Sequence, residues 1–349
     1  MRPLLLLVLA GTLPLRGEVD LFTSVDANQD GKVSYEEMPE ALRAHFKRFD
    51  ADNDGFITRE EQRRLVPDAG NAVAIEQIRD VDYVGKGNPR QTLDLLVPED
   101  RATQKRPLVI FVHGGAWNSG DKTQGLPVVR ALATTGDYVT ATLNYRLSQE
   151  AAWPAQLHDC KAAIRYLRGH ADTYGIDPDH LGVIGVSAGG HLAAMLGTTD
   201  KIKDLEGDLG PFPKLSSGVQ CVVNFFGPAD FLTMNGDVLT PNPITQLLGG
   251  DAATLKEKAK QASPVTWISK TSAPFFTAHG TKDPLVPYSQ AEKLHSGLVA
   301  VGVETHLIKM VGGGHGFASD DLNQRIRQFL DNHLRQQDRK ISGEPIEVN

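Results

Sequence analysis

HLGVIGVSAGGHLAAMLG, residues 180–197, sets an apolar run, a Gly-x-Ser-x-Gly step and a helical pattern end to end. The run HLGVIGV reads as a buried strand and HLAAMLG as the start of a helix. Between them, Gly185 and Gly189 let the backbone reverse so sharply that the Ser187 hydroxyl projects alone at the carboxyl end of the strand. The serine pattern by itself recurs by chance. Its position at a strand-to-helix junction is what makes it specific.

The same rhythm extends outward. Strands are expected at 81–84, 91–97, 107–112, 138–144, 180–186, 219–226, 274–280 and 305–310, with helical stretches such as PAQLHDCKAAIRYLRGHADTYG (154–175) between most of them. Strands alternating with helices predict a mainly parallel central sheet covered on both faces. In such sheets chemistry gathers at the carboxyl ends of strands.

A serine hydroxyl needs a base to take its proton, and the base needs a carboxylate to orient it. After an elbow of this kind the order along the chain is Ser, acid, His. Of the histidines beyond residue 283, His295 falls in a helical pattern, His306 in a strand and His333 in the terminal helix. His315 alone sits on a glycine-rich loop after a strand, VGGGHGF. Asp283 follows the strand PFFTAHG directly, whereas Glu292 lies on the next helix and Glu304 at the start of the last strand. The candidate set is therefore Ser187, Asp283 and His315.

Attack on a carbonyl creates an oxyanion that needs backbone donors. HGGAW, residues 113–117, leaves the strand PLVIFV where those donors are required. The N–H groups of Gly114, Gly115 and Ala188 are the expected hole. His113 reads as a brace. Trp117 either lines an acyl pocket or packs under the loop. His158, His191 and His279 fall in regular elements and read as internal groups, Arg146 and Asp230 as ion-pair partners.

Ahead of all this stand DANQDGKVSYEE (26–37) and DADNDGFITREE (50–61), each a complete D-x-[DN]-x-[DN]-G-x5-E loop. Ca²⁺ takes six to eight oxygens, so side chains must converge from alternate positions of a tightly turned loop. The expected ligands are Asp26, Asn28, Asp30, the Lys32 carbonyl, Ser34 and Glu37, then Asp50, Asp52, Asp54, the Phe56 carbonyl, Thr58 and Glu61. Residues 18–66 resemble the EF-hand superfamily, although only 12 residues separate the loops. That spacing favours a fixed module holding two structural Ca²⁺ ions, with a dockerin-like adhesion module, docked on a partner protein or surface, ranked second.

The net charge of −7 argues against a nucleic-acid footprint, and most of it belongs to this segment: Glu18 to Asp68 carries 13 acidic and 7 basic residues. MRPLLLLVLAGTLPLRG (1–17) reads as a signal peptide, with a buried N-terminal element as the alternative. Export to a secreted or periplasmic location is the expectation, and no later apolar run is long enough for a membrane span. Cys160 and Cys221 leave open whether they pair.

HGGAW, NYRLS, HDCKAAIRYLR, YGIDPDHLGVIGVSAGGHLAA, FFGPAD, TKD and GGHGF together resemble the esterase/lipase branch of the α/β-hydrolases, most closely the secreted bacterial group with feruloyl and acetyl-xylan esterases. The resemblance covers about residues 79–337. It implies an α/β-hydrolase fold, ester hydrolysis through an acyl-enzyme, no metal or cofactor in the active site, and a cap formed by parts of 200–218 and 231–272. The expected organisation is a signal peptide (1–17), a small α-helical EF-hand pair (18–66), a linker (67–78), the catalytic domain (79–337) and a polar tail (338–349). Feruloyl or acetyl esters of polysaccharides are the preferred substrates, with a generic short-chain carboxylesterase or lipase as the alternative. A calcium-dependent adhesion or scaffold protein with an inactive hydrolase-like domain is the reading from another class, favoured only if a triad member or the HGG were missing.

Overall fold

The computed structural model describes residues 26, 28, 30–38, 43, 46, 50, 54–58, 73–234 and 242–348. The expected signal peptide, Asp52, Glu61 and most of the expected helical residues of the N-terminal module lie outside them. The chain divides into two units, Leu9–Val73 and one containing Ala74–Asn349.

In the small unit, Lys32–Ser34 (β1) pairs antiparallel with Phe56–Thr58 (β2), placing Val33 opposite Ile57. These two side chains bury against Met38 and Phe46. The pairing joins the equivalent halves of the two acidic loops, so each loop braces the other.

The large unit carries strands Ile75–Asp82 (β3), Thr92–Pro98 (β4), Arg106–Val112 (β5), Val139–Leu143 (β6), Ile176–Val186 (β7), Cys221–Phe225 (β8), Phe275–Gly280 (β9), Thr305–Val311 (β10) and Ile346–Glu347 (β11). They form one sheet in the order β11-β10-β9-β8-β7-β5-β6-β4-β3. Every pairing from β6 to β11 is parallel, and β3 and β4 join antiparallel at one edge.

Period-two alternation decides the two faces. Along β5, Leu108, Ile110 and Val112 enter one apolar cluster, while Val109 and Phe111 enter the other. Helices Leu126–Ala133 (α1), Ala155–Gly169 (α2), Ala188–Thr198 (α3), Pro243–Leu248 (α4), Lys256–Gln261 (α5), Ser289–Ala300 (α6) and Asp320–Arg335 (α7) flank the sheet. Helices α2, α3 and α6 feed the first cluster, α1 and α7 the second. Helix α7 shows why: Leu322, Ile326, Phe329, Leu330 and Leu334 recur at helical spacing on its buried side. Each fully buried aliphatic chain of this kind contributes about 1.5–3 kcal/mol relative to exposure.

The structure departs from expectation at the edges. Residues 75–78 of the expected linker are the first half of β3, because they pair with Leu95–Pro98. The expected polar tail is not free either: Ile346 is buried as β11 adds to the sheet beside Met310. Cys160 and Cys221 are both free and sit in the clusters on opposite faces of the sheet. They therefore do not pair.

The 200–218 insertion follows the far end of α3, about 16 Å from the elbow at 1.5 Å per residue, and packs along the length of α2. There Glu206 pairs with the fully buried Lys161 at 2.5 Å, and Phe212 lies against Gly169. Gly207 lies against His158 in the first turn of α2, and Gly210 against the Tyr83 carbonyl just beyond β3. The described residues of the 231–272 insertion reach the elbow, where Gln246 meets Asn118 and Ala262 meets His191. No helix among the described residues is long and apolar enough to cross a membrane.

Candidate active site

Four parallel strands deliver the site. Gly114 follows β5, Ser187 follows β7, Asp283 follows β9 and His315 follows β10. Each lies within four residues of its strand's carboxyl end, so sheet order alone sets their approximate spacing.

Ser187 adopts φ 54° and ψ −118°, a strained conformation for a residue with a side chain. The turn holds because its N–H donates to the Phe225 carbonyl at 2.9 Å and its carbonyl accepts from His191 N–H at 3.0 Å. The flanking glycines are required by contact: a Cβ on Gly185 would stand 2.1 Å from the Gly189 carbonyl oxygen, and one on Gly189 2.1 Å from that of Val112. The HGG loop lies directly on the elbow, since a Cβ on Gly114 would stand 3.4 Å from the Ser187 Cβ. Ala188 opens α3, and the first N–H groups of a helix have no intrahelical acceptor. Gly114 and Ala188 thus lie beside the serine, with Gly115 next in the same loop.

His315 Nδ1 is 2.7 Å from Asp283 Oδ2, and its Nε2 is 2.8 Å from Ser187 Oγ. A carboxylate only accepts, so the imidazole proton resides on Nδ1 and the Nε2 lone pair faces the serine hydroxyl. Asp283 has no exposed side-chain surface. Burial alone would raise its pKa. The hydrogen bonds from His279, from His315 and from the Val286 N–H outweigh burial and hold it well below the usual carboxylate range. Phe226, at φ 42°, lays its ring 4.5 Å from that of His315 and limits how far the imidazole can swing.

Trp117 is 2% exposed and packs under the loop rather than forming an open wall. Its Nε1–H donates to His191 Nδ1 at 3.2 Å, and His191 Nε2–H donates to the Ala262 carbonyl at 2.7 Å. The HGG loop is thereby tied through α3 to the 231–272 insertion. Burial pushes His191 down to about 4. His113 braces the same loop: its ring stacks on Tyr145 at 4.2 Å, Nδ1–H donates to the Gly114 carbonyl at 2.7 Å, and burial lowers it to about 4. Arg146 pairs with Asp159 and Asp230 with Lys293.

Phe226 stands at the site without having been expected there, and His191 and His279, expected only as internal groups, touch its machinery. Phe226 and His191 carry no local signal beyond lying near the FFGPAD and GVSAGG motifs. His279 does carry one, its four-residue spacing from Asp283, although its place in a strand pattern makes it read as an internal residue.

The acidic loops share one wiring. Asp26 accepts from the N–H groups of Asp30 and Gly31 at 3.2 and 2.9 Å, and Asp50 from those of Asp54 and Gly55 at 3.0 Å each. Asp30 accepts from Lys32 N–H and Asp54 from Phe56 N–H, both at 2.9 Å. Glu37 closes the first loop by accepting from Asn28 N–H at 3.2 Å and from Ser34 N–H at 2.8 Å. Among the described residues no three Asp, Glu, His or Cys side chains are gathered as a metal cluster. The loop oxygens are nonetheless the hard donors, folded to the inside of a tight turn, that suit Ca²⁺.

Comparison with known proteins agrees with this geometry. Residues 93–298 match the BD-FAE family, and residues 19–38 and 42–66 match the EF hand. Esterase LipC of Mycobacterium tuberculosis (strain ATCC 25618 / H37Rv) is 32% identical over 240 residues, which is 66% of this chain and 58% of that protein. Esterase LipQ of the same strain is 30% identical over 233 residues, 66% of this chain and 54% of that protein. The chain thus spans little more than half the length of these curated relatives. A solved structure described as a truncated form of carbohydrate esterase from gut microbiota superposes with a TM-score of 0.69 at 30% identity, covering 77% of this chain and 98% of that one. A bifunctional GH43-CE of Bacteroides eggerthii gives 0.70 at 31% identity, covering 74% of this chain and 35% of that one. The large unit has the α/β-hydrolase fold, and the chain belongs to the BD-FAE family.

Proposed function

We propose that the protein is a serine carboxylic-ester hydrolase that works through an acyl-enzyme and acts on acetyl or feruloyl esters of polysaccharides. The hydrogen-bonded line Ser187–His315–Asp283 at a strained elbow carries this reading. His315 Nε2 takes the Ser187 proton as Oγ attacks the ester carbonyl, and the charge on Asp283 stabilises the imidazolium that forms. The backbone donors at Gly114, Gly115 and Ala188 receive the oxyanion. His315 then hands its proton to the leaving alcohol, and water attacks the acyl-serine by the same route in reverse.

The carbohydrate-esterase description of one solved neighbour supports a sugar ester as the substrate. In the small unit, Asp26, Asn28, Asp30, Ser34, Glu37 and their counterparts from Asp50 onward would hold Ca²⁺, supplying charge neutralisation to the acidic loops rather than chemistry. The catalytic set is complete without it.

Initial rates of acetate and ferulate release from acetylated and feruloylated xylans, with Ser187→Ala protein as the blank, test the proposal. Serine-dependent release of either acid is expected and names the acyl group. Rapid cleavage of a soluble short-chain aryl ester with no release from either xylan would replace the polysaccharide assignment with a generic carboxylesterase.

A further inference from the structure

Two imidazoles face the Asp283 carboxylate. His279, near the end of β9, is fully buried, and its Nε2 lies 2.9 Å from the Val286 carbonyl oxygen and 3.3 Å from Asp283 Oδ2. A carbonyl only accepts, so Nε2 carries the proton and its N–H is shared between Val286 and Asp283. Asp283 Oδ1 meanwhile accepts from the N–H groups of Leu285 and Val286 at 2.8 and 2.9 Å. The carboxylate is therefore held at both oxygens, with two turn N–H groups on one and two imidazole N–H groups on the other.

The other nitrogen of His279 shows what this contact is worth to the site. Its Nδ1 is buried with no hydrogen-bond partner among the described residues. An orphaned polar atom of this kind is costly, and an aliphatic side chain would fill the space without it. The part of the ring that earns its place is the Nε2–H. Its neighbours Phe226 and Tyr288 pack edge-on and hold the ring plane where that N–H reaches Oδ2.

We infer that His279 is a positioning residue for the triad: it clips the 283–286 turn to the strand end and fixes Asp283 Oδ2 toward His315 Nδ1. This rests on the esterase reading for its kinetic consequence, but not for its structural one. Without the clip, the carboxylate gains a free buried lone pair and the turn keeps only its backbone tie to β9, from Asp283 N–H to the Gly280 carbonyl. His315 is then no longer held at the angle that aims Nε2 at Ser187.

The test uses the full chain and three variants. In His279→Leu the donor is gone. In His279→Asn a polar amide remains but ends near the position of Nδ1, short of Oδ2. In His279→Gln the amide N–H reaches the position of Nε2. With p-nitrophenyl acetate, folded Leu and Asn variants should lose about 10- to 100-fold in kcat, with KM within about twofold of wild type as expected when only transition-state alignment suffers. The Gln variant should recover most of the loss. Wild-type kcat in the folded Leu or Asn protein, or a Gln variant no better than Leu, would overturn the inference.

A second readout does not need turnover: the far-downfield proton NMR signal of His315 Nδ1–H against Asp283. It should broaden or move in the Leu and Asn variants and return in Gln. An unmoved signal in the Leu variant overturns the inference even if the protein cleaves no ester. Undiminished turnover in Ser187→Ala would instead remove Ser187 as the nucleophile, and absence of wild-type ester cleavage would remove the esterase reading; either leaves the NMR comparison to decide the role of His279.

Discussion

His315 Nε2 stands 2.8 Å from Ser187 Oγ although 128 residues separate them in the chain. With Asp283 Oδ2 2.7 Å behind the same ring, the imidazole is fixed in the tautomer that can accept the serine proton. Replacing Asp283 by Asn should keep the turn, because the amide oxygen still accepts from Leu285 and Val286. The amide N–H₂ would now face His315 and favour the opposite tautomer, and it would also oppose the His279 Nε2–H, which keeps only its Val286 acceptor. An expected loss of about 10⁴ in kcat, with a folded protein by near-ultraviolet circular dichroism, checks this. Retention of more than about a tenth of wild-type kcat would remove Asp283 as the orienting acid.

Gly115 sits at φ 111°, and a Cβ there would stand 2.3 Å from the Ser119 carbonyl oxygen. Gly115→Ala must therefore shift the loop that offers the oxyanion donors. The expected result is a loss of about 10²–10³ in kcat with little change in KM. A rise in KM at constant kcat would place the loop in substrate binding instead.

Trp117→Phe keeps the ring contacts with His191 and Phe231 but removes the donor to His191 Nδ1. A buried lone pair is left unpaired, which should cost about 1–3 kcal/mol. Urea unfolding of the large unit reads the change, and an unaltered midpoint would show that the bond contributes nothing.

His113 and His191 are buried neutral, with pKa lowered by burial to about 4 in each case. In the unfolded chain both titrate near about 6.5. Below that value the unfolded state binds protons that the folded state refuses, so stability present above pH 6.5 is lost as pH falls toward 4. The loss approaches about 3 kcal/mol per histidine. Unfolding free energies at a series of pH values should slope through this window, and His191→Gln should flatten the slope. Asp283 acts at lower pH, since its lowered pKa contributes stability that is lost only as acid protonates it.

Calcium chelation should lower the melting temperature of the small unit while most ester turnover by the large unit persists, because no acidic loop residue belongs to the triad or the oxyanion loop. Near-total, reversible loss of turnover in protein whose large unit stays folded would show instead that calcium controls the site.

The sheet and the elbow were legible because both are local. Alternation with a period of two in PLVIFV, the helical spacing in α7, and glycines on either side of Ser187 each dictate a backbone shape within a few residues. The order Ser187, Asp283, His315 could be read for the same reason, since each lies on the turn after its own strand. The two acidic loops were legible because calcium ligation in such loops is a matter of spacing along 12 residues.

What the tertiary structure decided is partnership between distant residues. Strand order and register bring β9 beside β8 and β10, and only then does Asp283, with His279 four residues before it, meet His315. The face of the sheet that α2 covers, and the face that the Cys221 side chain of β8 takes, put Cys160 and Cys221 in different apolar clusters. Trp117 is buried because His191, a full turn beyond the elbow, offers its Nδ1 from beneath. Sequence by itself determined the backbone steps and the residues at their ends, because local sterics and periodicity act over a few residues. The contacts that tune those residues depend on how the steps are stacked, and stacking is settled only when the whole sheet closes its two apolar faces.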